Sequence, residues 1–218
     1  MIDYAAARLN MVESQLRPNT VTDSAVLEAF LAVPRERFVP PALQATAYID
    51  ERLPLTGGRW LMEPMVLARL IQLAAIGPDD IVLDIGCGSG YAAAVLARLA
   101  RQVVAIDAER PLVDQAVARL RELGAGNVLA VEAPLAAGYP ARAPYDAILI
   151  EGSVTRVPDA IARQLAEDGR LVTVVGEGNG VGRAMLMTLA GAVLSRRPVF
   201  DAATPLLPGF GVAPSFRF

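Results

Sequence analysis

Apolar positions in this chain recur with two different periods, and the switches between them divide it into elements. Over Tyr4 to Leu16 and again over Asp23 to Val33 they return every three to four residues, which predicts two amphipathic helices, each followed by a proline, Pro18 and Pro34. Thr22 or Asp23 is placed to cap the second, and Pro40 and Pro41 are placed to start a third, short one. Residues 50–63 have no period and contain Pro54, Gly57 and Gly58, which reads as a loop. Pro64 then opens a helix predicted to reach Ala75, and Gly77-Pro78-Asp79-Asp80 turns the chain.

From Ile81 onward the pattern alternates. Short apolar runs at Ile81 to Ile85, Val103 to Ile106, Val128 to Val131, Tyr145 to Ile150 and Arg170 to Val175 predict buried strands. Between them, Gly90 to Leu99, Arg110 to Leu123 (stopped by Gly124) and Pro158 to Leu165 predict helices. Such alternation predicts an α/β fold with a doubly wound, mostly parallel sheet covered on both faces. Arg183 to Leu189 and Gly191 to Phe200 predict a terminal antiparallel pair, which brings the sheet to seven strands. The run Gly176 to Gly182, between the strand ending at Val175 and this pair, reads as a flexible connection, since no lysine completes a phosphate loop.

Composition narrows the chemistry. The chain has 218 residues, 54% of them hydrophobic, enough for a substantial core. One cysteine and no histidine exclude an internal disulfide, the usual zinc sites and triad-type hydrolysis, so no metal is expected. A net charge of −3 argues against a nucleic-acid partner, because phosphate contacts with Lys and Arg supply most non-specific affinity. The longest apolar stretch, Val66 to Ile76, is short and interrupted by Arg69, so no membrane partner is expected. Met-Ile-Asp-Tyr does not resemble a signal peptide, and the expected location is cytoplasmic.

The densest chemistry lies at Ile81-Val-Leu-Asp84-Ile-Gly86-Cys87-Gly88-Ser-Gly90-Tyr91, where a strand ends in a carboxylate and three alternate glycines before a helix. Backbone without Cβ atoms beside free amide groups accommodates a nucleotide-like ligand. A dinucleotide fingerprint requires a further glycine where Tyr91 stands, and a P-loop requires Gly-Lys-Ser/Thr. Cys87 fills a variable position in the loop, as a small residue lining it. Asp107 ends the second strand, where two acceptor oxygens can take both hydroxyls of a ribose.

What remains, Asp84-x-Gly86-x-Gly88-x-Gly90, resembles motif I of the S-adenosylmethionine-dependent methyltransferases. That resemblance implies a loop around the methionine part of the cofactor, with Asp84 near its amino end. Over nearly the whole chain, Met11-Val-Glu-Ser-Gln-Leu-Arg17, Val33-Pro-Arg-Glu-Arg-Phe-Val-Pro40, Ala47-Tyr-Ile-Asp50, Leu53-Pro54, Ala143-Pro-Tyr-Asp-Ala-Ile-Leu-Ile150, Gln164-Leu-Ala-Glu-Asp-Gly-Arg-Leu-Val172 and Pro205-Leu-Leu-Pro-Gly209 are similar to the protein-L-isoaspartate O-methyltransferase family. The resemblance implies a seven-stranded Rossmann-like methyltransferase sheet. It divides the chain into an N-terminal helical and acceptor-loop extension (1–62) and an S-adenosylmethionine-binding domain (63–218). It implies a cofactor set of Asp84, Gly86, Cys87, Gly88, Gly90, Asp107 and Ala108, with Glu132 and Ala133 at the adenine end in place of the family's Gly-Asp-Gly.

Family members methylate the carboxylate of isoaspartyl residues, a nucleophile already ionised near neutral pH that needs no imidazole base. Their Thr-x-Ser-x-Pro aligns with Trp60-Leu61-Met62-Glu63-Pro64, so Met62 stands where the family has its active-site serine, and no catalytic residue is assigned. Trp60, Met62, Glu63 and Glu151 are the expected acceptor-side residues, Glu63 and Glu151 adding negative charge near an anionic acceptor. The expectation is a methyltransferase acting on a protein, peptide or small-molecule acceptor with altered or reduced isoaspartyl activity. One alternative is a genuine isoaspartyl methyltransferase in which Thr56 or Ser153 supplies the missing hydroxyl; another is a non-catalytic cofactor-binding or interaction module.

Overall fold

The computed structural model describes residues 2–177, 180–191 and 193–211. In chain order it contains α1 (Tyr4–Met11), α2 (Ser24–Ala32), β1 (Leu53–Pro54), β2 (Trp60–Leu61), α3 (Pro64–Ala74), β3 (Ile81–Ile85), α4 (Tyr91–Leu96), β4 (Gln102–Asp107), α5 (Arg110–Glu122), β5 (Val128–Glu132), β6 (Tyr145–Val154), α6 (Asp159–Ala162), β7 (Leu165–Val175), β8 (Gly182–Ala190) and β9 (Val193–Ala202). Seven strands form one sheet in the order β5-β4-β3-β6-β7-β8-β9. Strands β3 to β7 pair in parallel, and β8 and β9 are antiparallel additions. The predicted doubly wound, mostly parallel seven-stranded sheet is therefore present. Gly178 and Asn179 of the glycine-rich connection, Ala192 of the terminal pair and residues 212–218 lie outside the described residues.

Period-two alternation sends successive side chains of each central strand to opposite layers. Val82, Val103, Ala105, Ala147, Leu149, Val172 and Val174 join one apolar cluster with α2, α3, α4 and the N-terminal segments. Leu83, Ile85, Val104, Ile106, Ile148, Ile150 and Leu171 join another, beneath α6 and residues Leu207 and Phe210. Both faces are thus covered, as a near-continuous apolar strand pattern requires. The chain leaves β3 toward β4 and β5 and later returns on the other side at β6. The carboxyl ends of β3 and β6 therefore flank the topological switch point, the usual ligand crevice of an open α/β sheet.

Local signals place the helices. Asp23 caps α2, its carboxylate accepting from the amides of Ala25 and Val26 at 2.8 and 3.3 Å, so Asp23 rather than Thr22 is the cap. Pro64 stands in the first turn of α3. The first predicted helix departs from expectation: α-helical bonding stops at Met11, and Val12–Leu16 forms a wider π turn. Strand β6 runs past the predicted end at Ile150 because residues 205–207 hydrogen-bond to it, Ser153 donating to Pro205 and Leu207 donating to Ser153, each at 2.8 Å. Strand β7 takes over Leu165, which was expected to end a helix, and α6 keeps only four residues. Part of the predicted loop at 50–63 pairs as a hairpin, Leu53 with Leu61 and Pro54 with Trp60, strands too short to show alternation. Among the described residues no helix is long and apolar enough to cross a membrane.

Candidate functional site

The alternation that builds the core also gathers carboxylates. Asp84 follows Val82, Asp107 follows Ala105 and Glu151 follows Leu149 by two residues, so all three point into the layer of the N-terminal helices at the carboxyl ends of β3, β4 and β6. Glu151 lies in an irregular stretch of β6, where pairing with β7 shifts between Leu149 and Ser153. Such irregularity re-aims side chains near functional sites.

Asp84 is fully buried, and apart from the neighbouring carboxyl of Glu151, with which it can share a proton, no donor of the chain reaches either of its oxygens. Burial lifts its pKa to about 7; a hydrogen bond shared with the Glu151 carboxyl opposes the rise, the charge of Asp107 adds to it and Arg59 opposes it. Glu151 is raised as well, by burial and then by Asp84, and its Oε1 is also unpartnered. Two close carboxyls in a dry site resist double ionisation, so the pair keeps at least one proton near neutral pH. Asp107 is buried but well supplied: Oδ2 accepts from the Gly88 amide at 2.9 Å and Oδ1 from the Glu109 amide at 3.1 Å.

The glycine loop folds back onto β4, the amides of Gly86 and Cys87 donating to the Ile106 carbonyl at 2.8 and 3.0 Å. Gly86, Gly88 and Gly90 all have positive φ. At Gly86 a Cβ would meet Arg59 Nη2 at 2.7 Å, and at Gly90 it would meet Ala116 Cβ at 2.9 Å, so the third glycine admits α5. Cys87 is buried, and burial pushes its thiol well above the usual range, which fits the small lining residue expected. Tyr91, where a dinucleotide loop needs glycine, is buried edge-on to Phe30 and Phe38 with the Arg35 guanidinium 4.9 Å from its ring centroid.

Arg59, on the hairpin formed by β1 and β2, carries no signal in a loop without period, yet it reaches the centre of the site. Its Nε and Nη2 donate to Asp107 Oδ2 at 3.2 and 3.1 Å, and Nη2 donates to the Gly86 carbonyl at 2.7 Å. Arg35 is a second buried arginine whose role the sequence did not disclose. It donates to the carbonyls of Ala47 and Met62, both at 2.7 Å, and so ties the acceptor segment to the N-terminal layer.

Trp60, Met62, Glu63 and Glu151 do come together. With Arg52, Arg59, Gly152, Thr204, Pro205 and Leu206 they line one cavity of about 10 Å³, room for about one water molecule. Met62 is buried in the core, whereas Trp60 is 39% exposed with Arg52 stacked on it at 5.4 Å. Glu63, whose pKa is raised by burial, accepts from the Thr204 hydroxyl at 3.3 Å and lies 3.9 Å from Arg52. The bare negative charge expected there is therefore partnered. Neither Thr56 nor Ser153 lines this cavity, and the Ser153 hydroxyl donates to the Gly176 carbonyl at 3.1 Å; the hydroxyl present is Thr204.

Ala108, Glu132 and Ala133 line a separate groove of about 560 Å³ with Arg110, Val131 and Pro134. Glu132 is exposed there, 3.7 Å from Arg110. These residues fit an adenosyl cofactor on two structural counts. Asp84 offers buried oxygens that no amide, hydroxyl or cation of the chain reaches, open to an ammonium group, and the glycine loop offers backbone that a Cβ would close.

A model of the family described as Protein-L-isoaspartate(D-aspartate) O-methyltransferase matches residues 7–192. The protein-L-isoaspartate O-methyltransferase of Methylorubrum extorquens (strain PA1) is 42% identical over 218 residues, covering 97% of this chain and 92% of the relative. That of Herpetosiphon aurantiacus is 44% identical over 170 residues, covering 78% and 76%. Among solved structures, a protein-L-isoaspartate O-methyltransferase superposes with a TM-score of 0.81 at 26% identity, covering 94% of this chain and 67% of that one. A putative member from Plasmodium falciparum, in complex with S-adenosyl-L-homocysteine, superposes with a TM-score of 0.77 at 19% identity, covering 95% and 99%, and shows the shared fold. With the fold, the switch-point carboxylates and these likenesses in agreement, the chain belongs to the protein-L-isoaspartate O-methyltransferase family of S-adenosylmethionine-dependent enzymes.

Proposed function

We propose that this chain transfers a methyl group from S-adenosylmethionine to a carboxylate of a protein or peptide, with isoaspartyl turnover reduced relative to members that carry the serine. In this reading residues 63–218 hold the cofactor, and residues 1–62 supply one side of the acceptor wall opposite residues 151–152 and 204–206. Asp107 holds the ribose hydroxyls, Gly86, Cys87 and Gly88 present backbone to the methionine part, and Asp84 takes the amino group. Ala108, Glu132 and Ala133 hold the adenine. The cofactor supplies an electrophilic sulfonium methyl. The remaining tasks are the chain's: to align the acceptor oxygen and to exclude water, which through proximity alone contribute several kcal/mol. A carboxylate acceptor arrives ionised and needs no base.

The observation that carries the reduced turnover is Met62. It is buried at the cavity wall with its carbonyl held by Arg35, and the Thr204 hydroxyl in the same cavity is turned to Glu63. An anionic acceptor is left with Arg52 at the rim in place of a hydroxyl donor. The test is methyl-ester formation on an isoaspartyl peptide and its aspartyl twin by the wild type and M62S. The account predicts ester on the isoaspartyl peptide alone, formed about tenfold faster by M62S, the order of one hydrogen bond to a charged group. Equal rates in the two proteins would contradict it.

A second reading is favoured by the half-exposed indole of Trp60 beside Met62: an apolar wall for a less anionic acceptor, with Glu63 or Glu151 as base. Methyl transfer to an uncharged small molecule, lost in E63Q or in E151Q and absent on both peptides, would select it.

A further inference from the structure

Arg59 lies over the carboxylate and the glycine loop read as the cofactor site. Its guanidinium engages the carboxylate at the end of β4 and the carbonyl of the first loop glycine at once, 4% of its side chain exposed. Nη2 sits 2.7 Å from the position of a Cβ on Gly86, directly over the bare backbone, while Leu207 and Leu55 close over Gly86 and Gly88 in the same way, at 3.0 and 2.9 Å. A planar cation with several donors satisfies the carboxylate that a pair of ribose hydroxyls would satisfy, and a loop carbonyl besides. Asp84 and Glu151 remain beside it with unpartnered oxygens, so the arginine fills this seat only in part.

We propose that Arg59 is an occupant of the cofactor seat supplied by the chain itself, and that the adenosyl cofactor binds by expelling it. The inference rests on the reading of Asp107 and the glycine loop as the cofactor site. Arg59 is carried on a hairpin whose strands pair over two residues each, with Gly57 and Gly58 at positive φ in its turn, so the contact is borne by a small unit. Expulsion lifts the guanidinium away from Asp107, and the hairpin moves with it. Because the arginine-bound form is not competent to bind, the apparent dissociation constant exceeds the intrinsic one by the inverse of the competent fraction.

The experiment is calorimetric titration of S-adenosylhomocysteine into wild type and R59Q, together with fluorescence of Trp60, the only tryptophan and the next residue along the chain. Asp107 retains the Gly88 and Glu109 amides in R59Q, and an unliganded melt checks its fold. The proposal expects R59Q to bind at least about tenfold more tightly than wild type, and the wild-type Trp60 emission to shift as the ligand saturates. Wild-type binding that is as tight as or tighter than that of R59Q overturns the proposal while leaving the cofactor reading intact. So does saturation without any change at Trp60, a result that needs no variant. Absence of heat with both proteins overturns the cofactor reading and this inference with it.

Discussion

Asp84 sits inside the protein with only the Glu151 carboxyl as a neighbour to share a proton, its pKa pushed up to about 7 by burial. An unfolded aspartate titrates near 3.9, so the folded chain binds the extra proton between these values. Stability is therefore highest below about pH 4 as far as this group is concerned, declines as the pH rises through 7, and is flat above. Between pH 5 and 8 the ligand-free protein should lose about 3 kcal/mol from this source, roughly 6–12 °C in melting temperature, and D84N should lose markedly less. Thermal melts of both proteins across that range check it; parallel curves would contradict it. At this scale the sequence showed which residues would stand at the strand ends more readily than how they are partnered. Asp84, Asp107 and the glycines were legible because each follows a buried strand, whereas Arg59 and Arg35 were not. Their partners lie 48 and 27 residues away along the chain, and an arginine destined for burial looks like any surface arginine.

Among the elements, the hairpin of β1 and β2 is the one that sequence pattern could not find. Two-residue strands show no alternation, and Pro54, Gly57 and Gly58 read as loop. Gly57 holds φ 65°, and a Cβ there would meet the Glu109 carboxyl at 2.9 Å. G57A should therefore cost about 1–2 kcal/mol, through left-handed strain and the displaced glutamate, measured by urea unfolding; no loss would show that the hairpin's position does not depend on that turn. The parallel strands and the helices between them were legible because burial on both faces leaves long apolar runs that only polar turns interrupt. Errors fell where tertiary contacts override local pattern: β6 extends through Glu151 because residues 205–207 pair with it, and Leu165 joins β7 instead of closing a helix.

Over the whole molecule, two turns of topology decide where chemistry happens. The sheet reverses its direction of growth between β3 and β6, and the N-terminal helices close one face with a core continuous with the strands beneath. The crevice left at the carboxyl ends receives Asp84, Asp107 and Glu151 from three strands, with Arg59, Trp60 and Met62 arriving from the segment before α3. The family and the cofactor class were legible from motif order, since both follow from the strand-to-loop transitions. The proposed acceptor site was less so, because the cavity assigned to it is lined by residues 52–63, 151–152 and 204–206, which meet only in the fold. The central claim is that Asp107 is the sugar-binding carboxylate of an adenosyl site. Calorimetry with S-adenosylhomocysteine on wild type and D107N tests it most directly: the account predicts binding by the wild type and a loss of about 30-fold or more in D107N, the worth of charge-assisted bonds to two hydroxyls, whereas equal affinity in the two proteins would contradict it.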